Sequence, residues 1–174
     1  IHHGTFRYDR GNPNLEAETS FQSEISLDLR DEDSSLAFDV FYNDISNYIY
    51  VAPSNEAVAG YKLYNFLQQN ATLWGSEIIY SKQTGIEWLS SNTSLEYING
   101  KSADGNPLPF IAPLTFKQVF NLDFSDNYSL EIDFVAKAKQ SRISQFEEET
   151  DGYSLLNLSG NWMTSFLNKD LNIF

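Results

Sequence analysis

The sequence of 174 residues contains no cysteine, only two histidines and a single methionine. Without cysteine there is no disulfide framework, no thiol nucleophile and no cysteine-based zinc site. Basic residues are also scarce, with 11 lysines and arginines against 24 aspartates and glutamates and a formal net charge of -13. Because nucleic-acid binding needs a basic footprint, we expect no nucleic-acid partner.

Long hydrophobic runs are absent as well. No run of about 18 apolar residues occurs, and a mean hydropathy of -0.38 excludes helical membrane spans. A transmembrane β-strand escapes this test because only every second residue needs to be apolar. The aromatic share of 15% is high. The composition therefore leaves a membrane β-barrel open.

Apolar and polar residues alternate along most of the chain, and this period of two predicts β-strands. In the clearest case, Phe21, Ile25, Leu27 and Leu29 share one face of a strand. The predicted strands are 20–30, 36–51, 70–81, 87–97, 115–124, 130–139 and 154–162, with a further strand beginning in 167–174. Residues 1–19 are polar and are predicted to be loop.

The predicted connections alternate in length along the chain. Short turns are expected at 31–35, 82–85, 125–128 and 163–166, long loops at 52–68 and 99–113, and an intermediate loop at 147–151. This pattern predicts an all-β, antiparallel up-and-down meander of about seven to eight strands, with the strand lengths and unequal rims of a transmembrane β-barrel. A soluble β-sandwich or lectin-like barrel that binds carbohydrate or protein shows the same alternation.

Four side chains are candidate ligand contacts. His2 and His3 are potential ligands for a metal or metal chelate, although adjacent histidines in an extended chain point apart. Tyr61 and Tyr64 lie in the predicted loop 52–68, where they could stack on a ligand or simply pack within the loop.

The acidic run 147–151 suggests either a Ca²⁺ site or a solvated surface. No catalytic constellation is present, since the two histidines adjoin each other and no thiol exists. We therefore predict neither an enzyme nor a bound cofactor.

Four motifs, in order along the chain, resemble those in the barrels of TonB-dependent outer-membrane receptors. They are GNPxLxxE at 11–18, LxGxE at 73–77, GxxLPxIPP at 105–113 and GYxLLNLS at 152–159. The third departs from the pattern at Ala112, which replaces the first proline of its final pair. Together the motifs extend over nearly the whole chain.

The resemblance implies a parent barrel of about 22 strands with an N-terminal plug, which imports a scarce ligand such as a siderophore-like metal chelate with energy from TonB. By this resemblance, residues 1–174 would form a partial transmembrane β-barrel that holds about strands 14 to 21 of the parent, without the plug, the TonB-contacting segment or the last strand. The implied location is the cell outer membrane. The implied partners are membrane lipid or detergent, the imported small molecule and, through the missing part of the parent chain, the plug and TonB.

Overall fold

The computed structural model describes residues 7–166 and 169–173, which form a single β-sheet. Strands β2 to β9 follow one another in chain order, each antiparallel to the next, and β1 pairs in parallel with β4. The strands are β1 (Arg7–Arg10), β2 (Thr19–Arg30), β3 (Ser34–Val58), β4 (Tyr61–Gln83), β5 (Leu89–Ser102), β6 (Thr115–Ser125), β7 (Tyr128–Lys137), β8 (Tyr153–Phe166) and β9 (Lys169–Ile173). The predicted all-β up-and-down meander is confirmed. Within the described ranges, no helix is long and apolar enough to cross a membrane.

The strand register separates the side chains into two faces, because residues paired across neighbouring strands lie on the same side of a sheet. One row of partners across five strands is entirely apolar: Leu27, Phe38, Ile78, Leu95 and Phe116. The row beside it on the opposite side is polar: Ser26, Asp39, Glu77 and Glu96. We refer to these two sides as the apolar face and the polar face.

The apolar face carries no second layer of protein in the described part of the chain. Phe21 is 69% exposed, Ile25 74% and Leu158 65%. Among the residues whose burial the structure describes, few hydrophobic side chains are buried: Ile45, Ala52, Leu63, Ala71 and Leu108. A β-sandwich buries its apolar face against a second sheet, so the sandwich alternative does not describe this structure.

The connections fall at two opposite rims of the sheet. The short-turn rim holds the connections 31–33, 84–88 and 126–127, close to three of the predicted short turns. The long-loop rim holds the connections 59–60, 103–114 and 138–152. The short turn predicted at 163–166 is wrong, because β8 continues to Phe166 and pairs with β9 there.

The predicted long loop 52–68 is also wrong, since β3 and β4 form an extended hairpin there. Ala59 and Gly60 turn the chain with φ values of 52° and 84°, and positive φ at both positions is the mark of a tight hairpin turn. Pro53 stands at a register shift, where a strand tolerates a residue without an N–H group. Sequence reasoning took these strand-breaking residues for a loop.

Residues 7–10 were predicted to be loop but form β1, which pairs with the extended part of β4. The segment 11–18, here called the strap, then crosses to β2 on the far side of β3. Gln68 holds it twice: its Oε1 accepts a hydrogen bond from Glu16 N (2.8 Å), and its Nε2 donates to Glu16 O (2.7 Å). Ile49 N also donates to Glu18 Oε2 (2.9 Å). The first motif of the sequence is therefore hydrogen-bonded along the β3–β4 hairpin.

Candidate ligand-binding rim

The predicted contact residues are not brought together on one surface. His2 and His3 lie outside the described residues. Tyr61 and Tyr64 stand in β4, three positions apart, so their side chains leave opposite faces of the strand. The Tyr64 ring lies 4.8 Å from the Arg7 guanidinium carbon, and the Tyr61 ring lies 6.0 Å from that of Tyr8.

The connection 103–114 folds back along the end of β5. Gly105 N donates to Ser102 O (2.8 Å), which closes a turn in which Gly105 has a φ of 82°. The returning chain bonds through Leu108 N to Gly100 O (3.0 Å), and the Leu108 side chain is 1% exposed. Full burial of a leucine side chain contributes about 2–3 kcal/mol, so the return of this loop is firmly anchored.

Gly100 is a position at which this anchoring requires a glycine. A Cβ atom there would lie 2.8 Å from Ile111 Cδ1 and 3.1 Å from Leu108 Cδ1. Both distances are shorter than a normal carbon–carbon contact. The two apolar side chains of the loop therefore occupy the space that a side chain at residue 100 would fill.

The connection 138–152 is bonded directly to this loop. Gln140 Nε2 donates to Ile111 O in a short hydrogen bond. Glu147 Oε1 accepts from Phe110 N (2.8 Å), and its Oε2 accepts from Ser144 N (2.9 Å). Burial raises the pKa of Glu147, but the hydrogen bonds that its carboxylate accepts from the backbone N–H groups of Phe110 and Ser144 lower the pKa by a larger amount. The pKa of Glu147 therefore lies below its ordinary value.

The connections 103–114 and 138–152 together leave the Phe110 side chain exposed to solvent. Its ring is 79% exposed, while the Leu108 side chain beside it is buried. Its φ is 62°, in the left-handed region that a bulky residue rarely adopts. Such strain costs of the order of 1–3 kcal/mol and persists only where the surroundings enforce it. The bond from Phe110 N to Glu147 is one such restraint.

The polar face below the long loops contains an acidic recess of about 620 Å³. Asp39, Glu77 and Glu96 line it as direct partners across three strands, together with Glu24. Among the described residues, no lysine or arginine forms an ion pair with these carboxylates. No group of three or more histidine, cysteine, aspartate or glutamate side chains in the described ranges is arranged to hold a metal ion. The recess is therefore suited to cationic groups from a partner.

The acidic run 147–151 takes part in structural contacts. Glu147 accepts the two backbone hydrogen bonds described above, and Glu149 Oε2 lies 2.6 Å from Lys139 Nζ. These contacts join the loop to its own base and to its neighbour.

The sheet thus has one uncovered apolar face, one polar face and two rims with connections of unequal length, and the comparison with known families agrees with this architecture. The family model described as TonB dependent receptor-like, beta-barrel matches residues 2–173. The chain belongs to this family. TonB-dependent receptors are outer-membrane β-barrels that act as transport receptors, and the chain is part of such a barrel.

Solved structures of other TonB-dependent receptors have the same fold at low sequence identity. The copper transporter OprC is 18% identical with a TM-score of 0.80, and the match covers 90% of this chain and 26% of that one. The siderophore receptor PirA from Acinetobacter baumannii is 18% identical with a TM-score of 0.70, covering 90% and 27%. The FrpB iron transporter from Neisseria meningitidis (F3-3 variant) is 18% identical with a TM-score of 0.65, covering 98% and 28%. The chain thus spans about a quarter of these proteins. No match was found among curated proteins.

Within this family setting, Phe110 and its support are the rim residues that the sequence analysis missed. The available signal was an aromatic residue between two prolines, Pro109 and Pro113, inside the third motif. Glu147 carried no comparable signal, because its partner Phe110 N is 37 residues away in the sequence.

Proposed function

We propose that this chain is part of an outer-membrane receptor that binds a scarce ligand, such as a siderophore-like metal chelate, and imports it in a TonB-dependent way. The observation that carries the proposal is the single sheet with one uncovered apolar face and one polar face. A lipid-facing apolar band opposite a polar lumen is the arrangement of a transmembrane barrel. In this proposal, residues 1–174 supply about strands 14 to 21 of the parent barrel.

The long-loop rim is proposed to face the cell exterior, because outer-membrane barrels have short periplasmic turns and longer external loops. Phe110 would then meet the ligand as it arrives, and an exposed aromatic ring supplies a flat apolar surface for an organic chelate. Tyr61 and Tyr64 of β4 remain candidate contacts near this rim. His2 and His3 remain candidates from the sequence alone. The names of the related proteins mention copper, siderophores and iron, which favours a metal or metal chelate as the ligand.

The acidic recess is proposed to face the plug of the parent protein. Three carboxylates opposite one another repel unless cations lie between them. We therefore expect the plug segment that contacts Asp39, Glu77 and Glu96 to carry lysine or arginine. Membrane lipid, the plug and TonB are the implied partners.

The proposal is tested on the full receptor that contains this chain, expressed in cells lacking other receptors for the probes. The probes are ⁵⁵Fe-enterobactin and ⁶⁴Cu²⁺, with uptake measured with and without a functional tonB gene. We expect a heat-modifiable band in the outer-membrane fraction and TonB-dependent uptake of at least one probe. A soluble protein would overturn the membrane assignment. Uptake of a probe that persists in cells without TonB would overturn the proposal that TonB supplies the energy for import.

Phe110→Ser should lower uptake and leave the barrel assembled. The matched control is Phe21→Leu, because Phe21 is similarly exposed but lies on the apolar face of β2. Removing the loop 99–113 should also lower uptake, although it would delete the end of β5 together with the buried Leu108. The point substitution is therefore the cleaner test. Equal uptake by Phe110→Ser and Phe21→Leu would remove Phe110 from the ligand path.

A further inference from the structure

The hairpin of β3 and β4 extends beyond the strands on either side of it. The pairing of β2 with β3 ends at Ser46, and the pairing of β5 with β4 ends at Ala71. Residues 47–69, here called the hairpin extension, therefore continue as a two-stranded ribbon with β1 at one edge. At about 3.3 Å per residue, its turn stands about 30 Å beyond the neighbouring strands. A ribbon of two strands is marginally stable alone, so its orientation depends on other contacts.

A β-bulge lies at the base of the hairpin extension, where the register of β3 against β4 shifts. Asn47 in the bulge has a φ of 59°, a left-handed conformation that asparagine tolerates better than most residues. Its N–H donates to Asn70 Oδ1 (3.1 Å), and its carbonyl oxygen accepts from Gln68 Nε2 (3.1 Å). Its side-chain amide donates to Glu16 Oε2 and to Ala17 O (3.3 Å each). Because a bulge interrupts the backbone ladder and bends the strand, the extension is held here by side-chain contacts and can pivot.

The strap lies along the outward side of the hairpin extension. Gln68, which bonds twice to the strap, is an even number of positions from Ile78 in β4, so its side chain leaves the sheet on the apolar-face side. The apolar side chains on that side of the extension, Ile49 and Phe66, are half-buried, whereas Trp74 further along β4 is 44% exposed. The strap therefore covers the outward side, and a tilt of the extension in that direction would press it against the strap.

Two side chains of the first motif bind one strand each of the hairpin extension. Asn12 Nδ2 donates to Phe66 O of β4 (3.3 Å), and Glu18 Oε2 accepts from Ile49 N of β3 (2.9 Å). A tilt towards the polar-face side would lengthen the path along the outward side, and these two bonds resist that change. The contacts of the strap thus hold the extension upright.

The polar-face side of the hairpin extension carries Tyr48 and Tyr50. Tyr50 pairs with Leu67, which is an even number of positions from Glu77 in β4, so both tyrosine side chains leave the sheet on the side of the polar face. The two rings are stacked, with centroids 6.4 Å apart and an angle of 10° between their planes. Burial, and then the negative charge of Asp104, raise the pKa of Tyr50. The connection that contains Asp104 therefore lies within electrostatic reach of this ring.

We propose that the hairpin extension is a lid that pivots at Asn47 towards the connection that carries Phe110, and that the strap holds this lid open. Closing would bring Tyr48 and Tyr50 towards Phe110, so that a ligand with a flat organic surface is enclosed between aromatic rings. The connection is the fixed side of the pair, because the burial of Leu108 anchors it. The inference rests on the proposed function, since it takes the polar-face side as the path of the ligand.

The test measures distances in the full receptor, reconstituted without ligand and carrying pairs of nitroxide labels. The chain contains no cysteine, so labels attach only at introduced sites once any cysteine outside it is replaced. Val58→Cys and Asn106→Cys, at exposed positions of the lid and of the opposite connection, report the gap by double electron–electron resonance. In the Gln68→Ala/Glu18→Ala variant this distance should shorten by about 5 Å and its distribution should widen. That shift corresponds to a tilt of about 10° for a tip about 30 Å from the pivot.

Two controls separate pivoting from general loosening. Gln83→Ala removes a glutamine that also donates to a backbone carbonyl, Glu87 O (3.0 Å), but at the short-turn rim, and it should leave the distance unchanged. Labels at Asn106 and Glu148, in the two connections of the long-loop rim, should keep their separation in the strap variant. Closure on a ligand is tested by Tyr50→Ala, which should raise the KM for uptake of a transported probe about twofold to tenfold.

An unchanged or longer distance between positions 58 and 106 in the strap variant would overturn the proposal, as would an equal change in Gln83→Ala. If the double variant fails to assemble, as judged by heat-modifiable mobility, Gln68→Ala alone decides by the same criterion. An unchanged KM in Tyr50→Ala would overturn the enclosure of the ligand by the lid. Transport of neither ⁵⁵Fe-enterobactin nor ⁶⁴Cu²⁺ would count against the proposed function, whereas the distances measured without ligand decide the pivot independently.

Discussion

Replacing Gly75 by alanine tests how closely β4 and β5 approach each other on the polar face. A Cβ atom at this position would lie 2.5 Å from the carbonyl oxygen of Tyr97 and 2.7 Å from a ring carbon of Phe41. The Phe41 ring can shift aside, but the carbonyl belongs to the backbone of β5 and moves only with the strand. We therefore expect Gly75→Ala to destabilise the barrel.

Two opposing free-energy changes determine the size of the effect. Alanine in the interior of a strand is favoured over glycine by roughly 0.5–1 kcal/mol, because glycine loses more conformational freedom on folding. Inserting a methyl group into a filled space costs roughly 1–3 kcal/mol. The second term is larger, since one of the blocking atoms is backbone. The expected net loss is about 0.5–2 kcal/mol in the free energy of unfolding.

The assay is the urea midpoint at which the full receptor loses its compact, heat-modifiable form on an unboiled gel. Gly85→Ala is the matched control, because no atom lies within 4 Å of a Cβ at that turn position. Phe41→Leu is then introduced alone and together with Gly75→Ala. The smaller side chain removes one of the two contacts, so the double variant should recover part of the lost stability, and the coupling is measured by the double-mutant cycle.

A urea midpoint for Gly75→Ala at or above that of the unmodified receptor would refute the close approach of the two strands. Full recovery in the double variant would show that the Phe41 ring alone blocks the site and that the Tyr97 carbonyl does not. The expected partial recovery supports both contacts. A loss of stability in Gly75→Ala, with partial or full recovery in the double variant, would give a physical reason for the glycine of the second motif.

Three further outcomes are expected. Because the folded-state pKa of Glu147 is depressed, its stabilisation of the loops is present above the unfolded pKa of about 4.3 and is lost as pH falls through the folded pKa. Hydrogen exchange of the Phe110 amide, corrected for its intrinsic rate, should therefore accelerate in the unmodified receptor as pH falls through the folded pKa. The Glu147→Gln variant should show no such step. Gln68→Ala removes three hydrogen bonds, two of them to the strap 11–18, and should cost about 1–2 kcal/mol of local stability. Protease should therefore cleave the strap faster in whole cells, and equal cleavage would contradict the role of Gln68 in holding the strap. Leu108→Ala should cost about 2–4 kcal/mol of local stability, seen as faster amide exchange across the returning loop, and unchanged exchange would argue against its anchoring role.

Much of the fold was predictable because alternation is a local signal. The strand predicted at 20–30 is β2 within one residue, and the strand predicted at 115–124 is β6 within one residue. The extended hairpin was not predictable from alternation, because Pro53 at a bulge and Gly60 in a tight turn look locally like loop residues. Strand β1 was missed for a different reason, since its four residues pair with residues more than 50 positions away.

The candidate site was less predictable than the fold. Tyr61 and Tyr64 were chosen as residues of one loop, and only the hairpin register separates them to opposite faces. Phe110 could have been noticed for its position among prolines, but its exposure depends on the burial of Leu108 and on the bond to Glu147.

The strained backbone of Phe110 bears on how the proposed receptor would capture a ligand present at low concentration. A residue with a φ of 62° is held in that state by its surroundings, here the hydrogen bond to Glu147 and the buried leucine next to Pro109. Ordering a free loop on binding costs about 0.5–1.5 kcal/mol for each immobilised side chain, whereas a loop already fixed avoids that cost. For a scarce ligand this difference favours a rigid rim over a flexible one. It follows that Glu147→Gln should weaken ligand capture chiefly by loosening Phe110, and should do so without moving the barrel itself.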